Sequence, residues 1–207
     1  MILAFDTSSS ACTAALFDGD GACLASRDEL IDRGHSERLV PMLQEMLAGR
    51  RADSILVGTG PGSFTGIRVA VAAAHGLAIG WGASVAGMSS LALIAAGSGA
   101  DDPVAASVLG GHGEIFIQMF DGTSCEPQGA LLNLSPDQAA AQISAPLILG
   151  SGAAALVEAL GTGEARTAWP SARFAMRLPE ALRSLDARPL YARAPDAKAR
   201  ASTAKAA

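Results

Sequence analysis

Aromatic side chains are scarce in this chain of 207 residues: six Phe, two Trp and one Tyr make up 4% of it, although half of all residues are hydrophobic. The interior must therefore be built mainly from Ala, Val, Leu and Ile, and the 23 glycines let elements approach closely. Positive charge is also short, with 15 Lys and Arg against 20 Asp and Glu and a net of -5. That balance argues against a large basic surface for phosphate backbones, so if RNA is involved another subunit supplies most of the grip. Cys12, Cys23 and Cys125 are odd in number and show no CxxC spacing. Neither a disulfide framework nor a thiolate zinc site is indicated, and small buried thiols in a reducing cytosol are expected.

Other absences narrow the chemistry. No basic stretch precedes Asp6, and no secretory signal is expected. Val69 to Met88 is nearly uncharged and long enough to span a bilayer, but it is mostly Ala and Gly and contains His75. A buried helix followed by a strand is the reading, and no membrane association is expected. The chain has no GK[ST] phosphate loop, no HExxH zinc motif and no GxSxG nucleophile elbow.

What is present alternates strand and helix signals. Ile2 to Phe5 and Ala11 to Phe17 read as strands around the polar turn Thr7-Ser8-Ser9-Ser10. Asp18-Gly19-Asp20-Gly21 then signals a hairpin into a third strand at Ala22 to Arg27. Leu39, Met42, Leu43, Met46 and Leu47 recur at helical steps, with Ser36 as a candidate cap and Pro41 pushing the regular part toward Val40. A strand at Ser54 to Gly58, a helix from Thr65 to Ile79 capped by Ser63 or Thr65, a strand at Val85 and a helix through Ala96 capped by Ser89 or Ser90 follow. Gly97 to Pro103 is a polar break. Beyond it come strands at Val104 to Leu109 and Glu114 to Phe120, a helix after Ser135-Pro136-Asp137, a strand at Leu147 to Leu149, a helix at Ala153 to Leu160 and a last helix at Ala172 to Leu185. No tandem repeat shows, yet the halves share their element order, which suggests paired α/β lobes at 1–100 and 101–191 with a disordered tail at 192–207.

Two turns have residues suited to ligands. Asp6, Thr7, Ser8 and Ser9 place a carboxylate and hydroxyls at a strand end, where they suit a metal-bound water or a phosphate, or simply satisfy backbone groups. Gly58 to Gly66 joins a strand to a helix; Gly60, Gly62 and Ser63 there suit either an anion at a helix N-terminus or a tight capped turn. It misses GxGxxG, so a dinucleotide site is not expected.

Three stretches together, ILAFDTSSSACTAALF, HSERLVPMLQEML and VGTGPGSFTGIRVAVAAAHGLA, resemble the TsaB family, also called YeaZ, in order and spacing over roughly the first hundred residues. GEIFIQMF and Pro189-Leu190-Tyr191-Ala192-Arg193 are looser traces. The resemblance implies an actin/sugar-kinase/Hsp70-like two-lobed α/β fold with mixed sheets flanked by helices. It also implies a non-catalytic dimerisation subunit for a TsaD-like transferase, working beside a TsaE-like ATPase. The complex forms N6-threonylcarbamoyladenosine next to the anticodon of tRNA; tRNA is then met only through the complex, ATP is used by partner subunits, and no cofactor is tightly bound.

Within that expectation the second lobe's strand end, Val108 to Glu114, has no Asp and lacks the Asp-Ala-Arg-like stretch of relatives. The catalytic relative's pair of metal-binding histidines four apart becomes His35 and Leu39, so no metal site and no catalytic residue are assigned. The helices at Leu39 to Leu47 and Thr65 to Ile79 are expected to form the seam with a partner or a second copy, with Leu39, Met42, Leu43, Met46, Val71, Ala74 and His75 as interface residues. The rival readings are a free-standing ATPase or kinase of the same fold and, behind it, a metallopeptidase-like protein.

Overall fold

The computed structural model describes residues 1–190. The expected tail at 192–207, with Tyr191, lies outside them.

Ten strands form two five-stranded mixed sheets. In the first, β1 (Ile2–Asp6), β2 (Ala11–Phe17) and β3 (Cys23–Leu30) make the antiparallel meander, and β4 (Ser54–Gly58) and β5 (Ser84–Met88) join in parallel on the other side of β1. The order is β3-β2-β1-β4-β5. The second sheet repeats it with β6 (Val104–Gly111), β7 (Glu114–Phe120), β8 (Leu132–Leu134), β9 (Leu147–Leu149) and β10 (Glu164–Arg166), in the order β8-β7-β6-β9-β10. Hairpins build the antiparallel half of each sheet; helical crossovers build the parallel half. This duplicated two-lobed plan is the actin/sugar-kinase/Hsp70-like architecture that the resemblance implied.

The layers follow from where apolar side chains fall. On one face of the first sheet, α1 (His35–Leu47) and α2 (Phe64–Trp81) cover Leu3, Phe5, Leu16, Ile55 and Val57. On the outer face of the second, α4 (Pro136–Ala140) and α5 (Ala153–Leu160) cover Ile115, Ile117 and Ile148. Between the sheets lies α3 (Ser90–Ala96), whose every residue is buried. Its sequence SLALIAA is apolar on all sides, as a helix with no solvent face must be. Phe17 from the first sheet and Val104, Phe116 and Phe120 from the second close on it, so one cluster joins the lobes.

Local chemistry sets the element ends. Ser63, Ser89 and Ser135 each accept a backbone N–H at the start of α2, α3 and α4, and Ser135 with Gln138 completes a capping box. Ser36 is not the cap of α1: that helix starts earlier, behind Gly34, whose carbonyl accepts from Glu37 and Arg38, and it runs through Pro41. Arg38 then fixes α1 to the edge strand by a fork to Glu29 (2.5 and 2.6 Å), and within α1 it also reaches Glu45 (2.9 Å). Arg38 holds both carboxyls below their usual range. The expected helix over 172–185 is instead a 3-10 turn at Ala172–Arg177 and a short α6 (Glu180–Arg183). Pro179 disfavours helical backbone at Leu178 and breaks it there. Cys12 and Cys125 are buried as expected, but Cys23 is exposed because β3 is an edge strand.

The residues from Ser171 to Leu190 run back as a strap over the first sheet. Ser171 Oγ donates to Asp28 (2.7 Å) and the Ala172 amide to Thr13 (2.8 Å). Leu185 bridges the β5 edge at Gly87, and the Leu190 amide donates to the Thr59 carbonyl (2.9 Å). Truncating Leu93→Ala in the shared layer is expected to cost about 2–5 kcal/mol in denaturant unfolding, against about 0.5 kcal/mol or less for the exposed Leu24→Ala; equal effects would contradict a common core.

Candidate functional site

A cleft of about 460 Å³ opens between the lobes. The first lobe contributes Ser8, Ser9 and Ser10 from the turn after β1, the loop Asp32 to Ser36, and Gly62, Ser63, Thr65, Gly66 and Val69 at the start of α2. The second contributes Val108, Leu109, Ser151 and Trp169. Hydroxyls line one side together with Asp32, Arg33 and His35, and an apolar wall with an indole and Ser151 lines the other.

The two turns expected to hold an anion do come together, and glycine is the reason. A Cβ on Gly62 would overlap the Ser8 carbonyl, and one on Gly66 would overlap that of Thr7. The Ser63 amide instead donates to Ser8 O (2.6 Å), and Thr7 Oγ1 donates to Gly66 O (2.6 Å). Of the seven anion-loop candidates, Ser8, Ser9, Gly62 and Ser63 border the cleft. Asp6, Thr7 and Gly60 do not, and each is bound within the fold.

Asp6 is the decisive case. Its side chain is wholly buried; one oxygen accepts the Ser8 amide (2.6 Å) and the other the Ser90 hydroxyl (2.5 Å). Ser90 Oγ also accepts the Gly60 amide (3.1 Å), so one carboxylate ties the first turn, the glycine loop and the start of α3 into one cluster. A Cβ on Gly58 would overlap this carboxylate. Burial pushes the Asp6 carboxyl above its ordinary range, against the lowering by Ser90 and Ser8.

The second lobe has a matching position. Asp6 follows the last paired residue of β1 beside Gly58; Ser107 follows the last paired residue of β6 against β9, beside Gly150. Ser107 is fully buried, and its hydroxyl has no hydrogen-bond partner. The two strand ends thus carry a carboxyl already engaged and a neutral hydroxyl. Among the described residues no group of three or more His, Cys, Asp or Glu is placed to hold a metal ion. His35 borders the cleft, with its Nε2 buried and unpartnered.

The expected interface list needs correction. Leu39, Met42, Leu43, Met46, Val71 and Ala74 are buried in this chain's own layer between α1, α2 and the first sheet, so their side chains are not surface. A regular apolar stripe marks the face a helix turns to its own core. His75 is exposed, and its Nε2 lies 2.9 Å from the Ala187 carbonyl of the strap. Sequence reasoning missed Arg33, Ser90, Ser151 and Trp169. Each stands far in sequence from the glycine loop, and no local motif marks it.

A duplicated fold around a hydroxyl-lined cleft defines a two-lobed protein of the actin/sugar-kinase/Hsp70 class. The family model described as TsaD, tRNA N6-adenosine threonylcarbamoyltransferase, matches residues 27–161, and the chain belongs to that family. Curated relatives named TsaB match the chain as well. The tRNA threonylcarbamoyladenosine biosynthesis protein TsaB of Escherichia coli K12 is 39% identical over 102 residues, 47% of this chain and 43% of the relative. That of Haemophilus influenzae is 40% identical over 100 residues, 45% of this chain and 41% of the relative. The matched stretch therefore spans less than half the length of these curated relatives. Among solved structures, YeaZ from Pseudomonas aeruginosa superposes with a TM-score of 0.75 at 29% identity, covering 92% of this chain and 98% of the other. A P. aeruginosa protein described as similar to peptidase YEAZ gives 0.78 at 29% identity over 93% and 99%.

Asp6→Ala is expected to cost about 1–3 kcal/mol or more, because the Ser8 amide and Ser90 hydroxyl lose a buried acceptor. The raised carboxyl of Asp6 favours the folded state fully only below its unfolded pKa, and that contribution is lost as pH rises through the folded one. The stability of Asp6→Asn relative to the native chain should therefore improve from about pH 4 upward. A difference that stays flat with pH in parallel denaturation series would contradict a carboxyl raised by burial.

Proposed function

We propose that this chain serves threonylcarbamoyladenosine formation on tRNA as a non-catalytic subunit that docks on a TsaD-like transferase and supports its active geometry. The observation that carries this reading is the state of Asp6: the acidic group that a nucleotide-handling cleft of this plan would need is consumed inside the fold, and Ser107 stands at the matching place. A TsaE-like ATPase supplies the ATP-consuming step, and the reading places the chain in the cytoplasm. α2 is the one described helix long and apolar enough to cross a membrane by length and composition; it lies against the first sheet with a third of that window buried.

The seam moves to the outer face of α2. There Phe64 (55% exposed), Arg68, Ala72, Gly76 and Ile79 (86% exposed) follow one another at helical spacing, with Arg68 3.6 Å from the Phe64 ring centroid. A Cβ on Gly76 or Gly80 would meet nothing, so another helix can approach the backbone closely. Val40 on the neighbouring α1 is exposed as well. Covering Ile79 and Phe64 contributes roughly 1.5–3 kcal/mol each before ordering costs. In isolation the same face suits a second copy.

Mixing the full chain with the TsaD-like transferase of the same cell is expected to give a heterodimer, and adding the TsaE-like ATPase, ATP and a threonylcarbamoyl donor is expected to give tRNA modification that fails when either protein of the heterodimer is left out. Ile79→Asp should weaken the heterodimer at least about tenfold, and Leu24→Asp on the exposed edge strand should not. Threonylcarbamoyl transfer by the isolated chain, or a heterodimer indifferent to Ile79→Asp, would contradict the reading.

A further inference from the structure

The overall charge of -5 hides a sharp segregation. No Lys or Arg occurs between Arg68 and Arg166, whereas residues 166–207 hold nine of the 15 cationic side chains and three of the 20 acidic ones, a net of +6. Five of those cations, all arginine, lie among the described residues: Arg166, Arg173, Arg177, Arg183 and Arg188.

Four of them stand on the strap, and the strap is a firm support. Besides its bonds to Asp28, Thr13 and Thr59, the Ser89 amide donates to Leu182 O (2.9 Å), and Ala187 O sits 2.9 Å from His75. Its apolar side chains are turned inward: Leu178 is buried in the shared layer, and Phe174, Met176 and Leu182 pack against it. Charge is what the outer side presents. Arg166 pairs with Glu164 and Arg188 with Asp186. Arg173 and Arg177 are exposed and have no carboxylate in ion-pair range among the described residues. Both guanidiniums gather on one ring, 5.2 and 5.7 Å from the Phe174 centroid. Arg183, one short step along, reaches Met176 Sδ at 3.9 Å and keeps an unpartnered Nε.

We infer that this arginine strap is an RNA-contacting edge, which takes up backbone phosphates of the tRNA while the acidic remainder of the chain repels it. Like charges drawn to one ring without a carboxylate from the chain itself are suited to an external anion. Arginine rather than lysine favours phosphate, since its planar fork binds two oxygens at once and stacks on bases. A membrane surface fits less well, because interfacial binding needs an apolar face turned outward and the strap turns its own inward. A repelling body with one basic edge also fixes orientation, so few contacts suffice to place the RNA. The choice of RNA among polyanions rests on the tRNA reading above; the charge segregation does not.

The test is fluorescence anisotropy of a labelled, unmodified tRNA transcript with the full chain, across a salt series from about 50 to 200 mM. The native chain is expected to bind with steep salt dependence. R173Q/R177Q should weaken binding about tenfold at the lowest salt and flatten the slope of log affinity against log salt by about 2, and R173E/R177E should weaken it further. Gln142→Ala, a neutral change at an exposed position of the second lobe, should bind RNA as the native chain does. No binding by the native chain, an unchanged slope in the double variant, or a preference for phosphatidylserine vesicles over the transcript would overturn the inference. Heterodimer formation measured on the same samples separates the two proposals: its survival with RNA binding absent removes the strap alone, and its loss in the native chain removes the subunit reading.

Discussion

A carboxylate with no access to water organises the first lobe. Asp6 accepts the Ser8 amide and the Ser90 hydroxyl, and Ser90 in turn accepts the Gly60 amide. Three segments far apart in sequence meet there: the turn after β1, the glycine-rich loop after β4, and the first residue of α3. Because α3 is also the layer both sheets share, the same cluster sets where the second lobe sits. Gly58 is required for the simplest of reasons, since any side chain would occupy the carboxylate's place. Burial raises the Asp6 carboxyl, so its contribution to stability falls as pH rises, while the cluster it orders stays defined by the hydrogen bonds to Ser8 and Ser90.

Function follows from how that carboxylate is used. The cleft keeps the outline of a ligand site, with hydroxyls from the Ser8 turn, Arg33 and the start of α2 facing Leu109 and Trp169. The groups that would grip a metal-bound nucleotide from both sides are an Asp turned inward and Ser107 in the matching strand. A fold that has spent its acidic group on its own assembly is suited to act through surfaces. Two such surfaces lie on opposite chemical terms: the outer face of α2, where Ala72, Gly76 and Ile79 follow Phe64 and Arg68, and the basic strap that closes over the first sheet.

Much of this was legible in the sequence. The meander, one of each pair of cap candidates (Ser63 rather than Thr65, Ser89 rather than Ser90), and the alternation of strand and helix are local signals, and the repeated order of elements pointed to paired lobes. What the sequence concealed depends on distance along the chain. β8 and β10 are three-residue edge strands with no pattern of their own; pairing with β7 and β9 defines them. The partnership of Asp6 with Ser90 spans 84 positions. The residues expected at an interface lie in the core because amphipathicity reports the inward face of a helix, whereas the outward face of α2 mixes Phe64, Arg68, Ala72, Gly76 and Ile79 and shows no apolar stripe. The net charge is a total and carries no distribution: the -5 stands beside nine cations gathered at one end of the sequence.

Calorimetric titration of the lone full-length chain with ATP and magnesium addresses the core of this account most directly. With Asp6 sealed inside and Ser107 opposite, no saturable one-to-one binding should be seen. Tight, magnesium-dependent, stoichiometric binding would show that the cleft handles nucleotides by itself and would contradict the role assigned to Asp6.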